Sequence, residues 1–256
     1  MPVLSRIPAR RKKRMFMRIS SLGLIAALAL GLVAAGPAVA SLEKGIEAYT
    51  AGDISAAAAE WEAGAADGDA TAAYLAAKMY EGGHGVSNVP RKVAKYMTQA
   101  AEAGHVQAQV ELADFYRHGL DGSDIDRNPG QALAWYEKAA LMQHAEAQMK
   151  IGEMHYNGEG AERNRFEGIR WYEIAAQKYY TPALIHLAGI YWKGDPLPRD
   201  KAKAYSFLLL ARQGSTDETR AGVDALMGER EKQMTRAQMD AGVRLAEAFR
   251  LEHSKN

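Results

Sequence analysis

The residues that could do chemistry come first. The chain carries seven histidines, His84, His105, His118, His144, His155, His186 and His253. A helical zinc site needs two histidines four residues apart, with an acid at hand, so that both rings share one helix face. No two of these stand at that spacing, and each reads as a buried or turn histidine. DIDRNPG (124–130) suggests calcium, because Asp124, Asp126 and Asn128 match ligand positions 1, 3 and 5 of an EF-hand loop. The match ends there. The sharp turn at position 6 calls for glycine and meets Pro129, and the bidentate glutamate of position 12 is Trp135. Asn128 and Pro129 instead read as the N-cap and first residue of a helix. SLEK (41–44) has the S-x-x-K form of penicillin-recognising enzymes without their partner motifs. GGHG and GEG lack the strand and the G-K-[ST] of a phosphate loop. No G-x-S-x-G is present. The expectation is a non-enzyme with no catalytic residues, no metal ligands and no cofactor.

Charge is unevenly distributed. The net formal charge is +1, yet the first 40 residues hold seven of the 32 Lys and Arg and none of the 31 acids. The remainder has 25 basic against 31 acidic residues, a net charge of −6. Such a body is a poor partner for nucleic acid, which needs clustered Lys and Arg. The leader itself runs from the basic RIPARRKKRMFMR through LGLIAALALGLVAA to GPAVA, the order of a secretory signal peptide. Residues 1–40 are expected to be removed, with Ala38 and Ala40 as the small residues before Ser41. Met15 and Met17 are alternative starts. The other reading is an uncleaved anchor, since Leu22 to Ala40 is an uncharged stretch close to the ~20 residues that span a bilayer. The expected location is periplasmic or secreted, or anchored in the inner membrane and facing the periplasm, with membrane contact only through the leader. Cysteine is absent, so all stability must come from packing.

The elements that position the rest recur. ALAWYEKAA (132–140) is followed 36 residues later by GIRWYEIAA (168–176). The same position is Trp61, Tyr96, Trp135, Trp171 and Phe207, at intervals of 35, 39, 36 and 36. A second ladder, Tyr49, Tyr80, Tyr116, His155 and Tyr191, precedes it, each member followed three residues later by glycine. Apolar residues upstream fall at helical spacing, as Ala108, Leu112 and Tyr116 do. A glycine just past the last of them is a helix stop. Each unit therefore reads helix, turn, helix. The 39-residue interval places a three-residue insertion in LDGSDID, and the first unit has only the short turn AGD. Hairpins of this kind cannot bury their apolar faces alone and stack to do so.

YEGGHGV (80–86) and QALAWYEKAA (131–140) resemble the Sel-1-like repeat, a subclass of the tetratricopeptide repeats, and the resemblance covers roughly residues 42–213. The first unit is closer to an ordinary tetratricopeptide repeat. His155 stands where the family prefers Tyr, and Phe207-Leu208 where it prefers Trp-Tyr. The implied fold is all-α, a right-handed superhelical solenoid of about five hairpins over residues 41–214, with a capping segment at 215–256. STDE (215–218) and TRAQ (235–238) have capping-box form and predict closing helices at 217–233 and 236–252. Ala241, Leu245 and Phe249 would be the inward stripe, and HSKN would fray.

The resemblance also implies a site. In this superfamily partners contact the first helix of each pair, which lines the concave face. The matching positions are Tyr74, Lys78 and Glu81, then Val110, Asp114, Arg117 and His118. They continue with Met149, Glu153, Tyr156 and Asn157, and end with Ile185, Trp192 and Lys193. Tyr74, Val110, Met149 and Ile185 form an apolar row, which either docks a peptide or packs between first helices. Lys78, Asp114 and Glu153 form a charged row beside it. The functional expectation is an exported scaffold that binds another protein or a peptide segment, including the regulator of a signalling or envelope complex. An envelope enzyme or peptidoglycan-enzyme accessory is the alternative, and self-association through an exposed end a third.

Overall fold

The computed structural model describes residues 37–83 and 87–253. Residues 1–36 of the expected leader, residues 84–86 of the turn motif and residues 254–256 of HSKN lie outside them, whereas residues 37–40 and His253 are helical. Ten of the described helices form five antiparallel hairpins in chain order. They are α1 (Pro37–Ala51) with α2 (Ile54–Ala66), α3 (Ala70–Gly82) with α4 (Pro90–Glu102), α5 (Val106–His118) with α6 (Pro129–Leu141), α7 (Ala145–Asn157) with α8 (Arg165–Ala176), and α9 (Thr181–Lys193) with α10 (Lys201–Gly214). Each second helix also packs on the first helix of the next hairpin. The result is an all-α solenoid closed by α11 (Asp217–Glu231) and α12 (Arg236–His253). None of the described helices is long and apolar enough to cross a membrane.

The turns follow local chemistry. Gly52, Gly83, Gly119, Gly158 and Gly194 all have positive φ, which glycine adopts without the Cβ penalty. Asp53, Asn128, Asn164 and Asp200 cap the second helices, each side chain accepting a backbone N–H three residues on. Those caps are tied back to the first helix. The N–H groups of Asn128, Asn164 and Asp200 donate to the carbonyls of Tyr116, His155 and Tyr191 at 2.6, 2.8 and 2.9 Å. The ladder position thus contributes its carbonyl, which is why His155 can stand there. The insertion in the third unit bulges out ahead of this bond and leaves it intact, with Ile125 folded inward to 7 % exposure. Asn128 is occupied as an N-cap and Asp124 and Asp126 are exposed, so the calcium-like spacing serves a helix start.

Hairpin interiors hold the aromatics. Trp61, Tyr136 and Tyr172 are almost fully buried, and Tyr49–Trp61, Tyr80–Tyr96 and Tyr191–Phe207 pair with ring centroids 5.7, 6.2 and 5.8 Å apart. In the fourth hairpin glycine replaces the small residue on both helices. A Cβ on Gly152 would lie 2.9 Å from the Gly168 carbonyl oxygen, and one on Gly168 would lie 2.7 Å from that of Gly152. The two backbones touch here, drawing Tyr156 and Tyr172 together at 6.2 Å.

The cap departs from its expected details. TRAQ is a reciprocal capping box. Gln238 N–H donates to Thr235 Oγ1 at 3.3 Å and Thr235 N–H to Gln238 Oε1 at 3.0 Å. STDE is not. The buried Ser215 hydroxyl turns back to donate to the Ala211 carbonyl of α10 at 2.7 Å, and Thr216 takes the N-cap place without a side-chain capping bond, its hydroxyl pairing with that of Thr219 at 3.1 Å instead. The inward stripe of α12 is Gly242 and Ala246 with the half-buried Phe249, while Leu245 is 42 % exposed. Gly242 lies against Ala202 and Tyr205 of α10, an approach the larger neighbouring side chains would block. That close contact rotates the helix by one residue from the expected setting.

Candidate partner-binding face

The first helices α3, α5, α7 and α9 lie in sequence along one face, cross-linked by a repeating polar pair. Lys78 Nζ is 3.1 Å from Glu111 Oε2, Asp114 Oδ1 is 3.8 Å from Lys150 Nζ, and Glu153 Oε1 is 3.6 Å from His186 Nε2. Each pair joins the charged row of one unit to the residue after the apolar row in the next. Further bonds thicken this ladder. Tyr74 O–H donates to Glu111 Oε1 at 2.8 Å and Tyr136 O–H to Asp114 Oδ1 at 2.5 Å, while Lys78 also pairs with Glu81. Arg117, 9 % exposed, bonds Glu153 at 3.0 Å and Glu159 at 2.8 Å. Burial works against the Arg117 charge, but the two carboxylates outweigh it and hold the guanidinium more firmly protonated than usual. The Arg117 bond in turn keeps the Glu159 carboxyl below its ordinary range. The charged row is therefore occupied in joining repeats.

The apolar row needs correction. Val110 is fully buried and Met149 6 % exposed, leaving only Tyr74 and Ile185 half-exposed. On α5 the accessible strip is Gln107, Glu111, Asp114 and His118, one residue round from Val110. Each residue turns a helix by about 100°, so that offset carries the row into the core. Trp192 is also core, at 7 % exposure, with Arg199, Lys201 and Arg230 over its ring at 5.7, 5.2 and 4.5 Å from the centroid. Its ring is covered by Arg230 of the cap in place of the exposure expected of it. His118, Asn157 and Lys193 are exposed. Tyr156 is half-buried, its hydroxyl accepting from Arg165 at 2.8 Å.

The ladder stops at the fifth unit. The position equivalent to Lys78, Asp114 and Glu153 is Gly189, and a Cβ added there would meet no atom within 4 Å. The missing side chain opens a cleft of about 220 Å³ lined by Tyr156, Tyr172, Ile185, His186, Gly189, Ile190 and Lys193. The fold thus brings together Tyr156, Ile185 and Lys193 of the expected site and leaves the other expected residues out of the cleft. Tyr172, His186, Gly189 and Ile190 were missed. The break in the charged row at Gly189 was the available signal. The His186 ring stacks on Tyr172 at 5.1 Å. Burial, reinforced by Glu153, pushes the Tyr172 phenol up, so it stays neutral. Lys193 forms no ion pair with the described residues, although its charge helps Arg165 hold Asp195 below the usual carboxylate range. An apolar aromatic floor with an ammonium and an imidazole beside it suits an apolar side chain next to an acid. Among the described residues no three His, Asp or Glu cluster to hold a metal ion.

The Sel1 repeat model matches residues 70–105, 106–144, 145–180 and 181–214, which begin at the first residues of α3, α5, α7 and α9. This chain belongs to the Sel1 repeat family. Its first hairpin lies outside the matched residues yet packs in the same way. The chain is 26% identical to a Sel1 repeat protein from Oxalobacter formigenes, whose crystal structure superposes with a TM-score of 0.63 over 73% of this chain and 74% of that one. The fold is also that of c5321, a protective antigen of uropathogenic Escherichia coli strains displaying an SLR fold. That match is 21% identical, with a TM-score of 0.70, over 84% of this chain and 46% of that one. The exopolysaccharide production negative regulator of Rhizobium meliloti (strain 1021) is 28% identical over 170 residues, 56% of this chain and 63% of the relative. The chain spans less than two thirds of the length of the curated relatives it matches. Sel1 repeats are units of the kind that serve as scaffolds for protein–protein interaction.

Proposed function

We propose that this Sel1 repeat protein is an exported regulatory adaptor that holds a protein partner through the cleft at Gly189. The interruption of the inter-repeat ladder carries this reading. The ladder's polar side chains pair with one another along the face, and at Gly189 the pattern lapses, leaving the half-buried Tyr156 and Ile185 next to the Lys193 ammonium, which forms no ion pair among the described residues. A partner segment presenting an apolar side chain followed by Asp or Glu fits that arrangement. The basic and apolar leader supports export to the periplasm or beyond. The regulatory part rests on the likeness to the rhizobial negative regulator.

The test is photocrosslinking in cells from His186, with exposed Lys138 on α6 as the control position. The expected result is a discrete adduct from position 186, absent from position 138 and lost in Gly189→Leu, which fills the cleft. An adduct undiminished by Gly189→Leu would move the binding surface elsewhere.

A further inference from the structure

A second cleft lies at the cap, where α10, α11 and α12 meet. It is lined by Leu209, Arg212, Gln213, Arg220 and Arg250, with a volume of about 430 Å³. Three guanidinium groups and a carboxamide from three helices converge on it, and among the described residues no acid lines it. We propose that this cleft binds the oxyanion, phosphate or carboxylate, of a small ligand.

The arginines stand on three successive helices, α10, α11 and α12, and two of them are bonded to groups outside the lining. Arg212 Nε donates to Asp224 at 2.5 Å. Arg220 donates to the Ser215 carbonyl at 3.2 Å and pairs with Asp217 at 3.4 Å. A guanidinium has five N–H donors, so these contacts leave several unspent on each. Arg250 has no ion pair among the described residues. Two aspartates thus offset two of the three charges, and a net positive charge remains at an open surface cleft whose arginines are all exposed. Fork-shaped donors held in this way match the paired oxygens of a carboxylate or phosphate. Helix dipoles favour cations in last turns, which accounts for Arg212 and Arg250 separately. It does not account for Arg220, in the first turns of α11, joining them. The mildly acidic body of the protein makes the cluster a local exception, suited to a small anion rather than an extended polyanion.

The full chain is titrated with sodium phosphate and, separately, sodium acetate at constant ionic strength, following the arginine side-chain N–H signals by nitrogen-resolved NMR. The variants are Arg250→Gln, which breaks no ion pair among the described residues, and Arg220→Gln. Circular dichroism confirms that both remain folded. Saturable shifts with phosphate, weakened at least tenfold in both variants, would support the site and name a phosphate ligand. The same pattern with acetate alone would support it and name a carboxylate. Shifts reproduced by sodium chloride, or binding unchanged in Arg250→Gln, would overturn it.

Discussion

Three glycines lie inside helices of the fourth and fifth hairpins, and the structure assigns their replacement by alanine opposite signs. At Gly189 no atom lies within 4 Å of the added methyl, so Gly189→Ala brings only the helix-propensity gain. That gain is about 0.5–1 kcal/mol of stabilisation. Gly168→Ala places its methyl 2.7 Å from the Gly152 carbonyl oxygen and 2.8 Å from the Tyr156 backbone nitrogen. Backbone cannot swing aside as a side chain can, so α7 and α8 must separate. Overpacking of this kind costs roughly 1–3 kcal/mol, and after the propensity gain Gly168→Ala should destabilise by about 1–2 kcal/mol. Gly152→Ala meets the Tyr172 ring at 2.8 Å and the Gly168 carbonyl at 2.9 Å and should behave alike. Urea and thermal melts followed by far-ultraviolet circular dichroism read the sign directly, since 1 kcal/mol moves Tm by roughly 2–4 °C in a domain of this size. A destabilised Gly189→Ala, or a Gly168→Ala at least as stable as wild type, would refute both the open cleft and the backbone contact that positions it.

Other perturbations have defined outcomes. His105 and His144 cap α5 and α7 by accepting the Ala108 and Ala147 N–H groups through Nδ1 at 3.1 and 3.4 Å, and burial lowers both pKa values. The unfolded chain therefore takes up protons first. This contribution is complete above about pH 6.5 and is lost as the pH falls toward the folded pKa values, at about 1 kcal/mol per cap. His105→Asn with His144→Asn should flatten the pH dependence of Tm in that range, and an unchanged slope would exclude the caps as its cause. Arg117→Met leaves Glu153 and Glu159 without their shared partner and should cost about 2–3 kcal/mol, somewhat less than breaking a fully buried pair. Adding Glu159→Gln should recover part of that loss in a double-mutant cycle. Trp192→Ala removes a buried ring with three cations over it and should cost about 3–5 kcal/mol. Hydrogen exchange should then rise in α11 and α12 before α3 to α8.

What the sequence alone determined is what neighbours within a few residues control. The aromatic and glycine ladders mark every hairpin, because helix periodicity and the left-handed glycine stop are local. TRAQ caps α12 for the same reason, since its two bonds close within four residues. Tertiary structure decided which way each helix faces. Val110 and Met149 lie in the core because the packing of adjacent first helices turns the accessible strip one residue onward, to Glu111 and Lys150. STDE is not a capping box because α10 ends close enough to accept the Ser215 hydroxyl. The α12 stripe shifts because Gly242 alone can approach Tyr205. A single residue of rotation moves a side chain about 100° around its helix, and nothing within one helix sets that angle. It is set where two surfaces meet. The cleft at Gly189 and the cluster of Arg212, Arg220 and Arg250 both arise at such meetings, between residues that local periodicity does not relate.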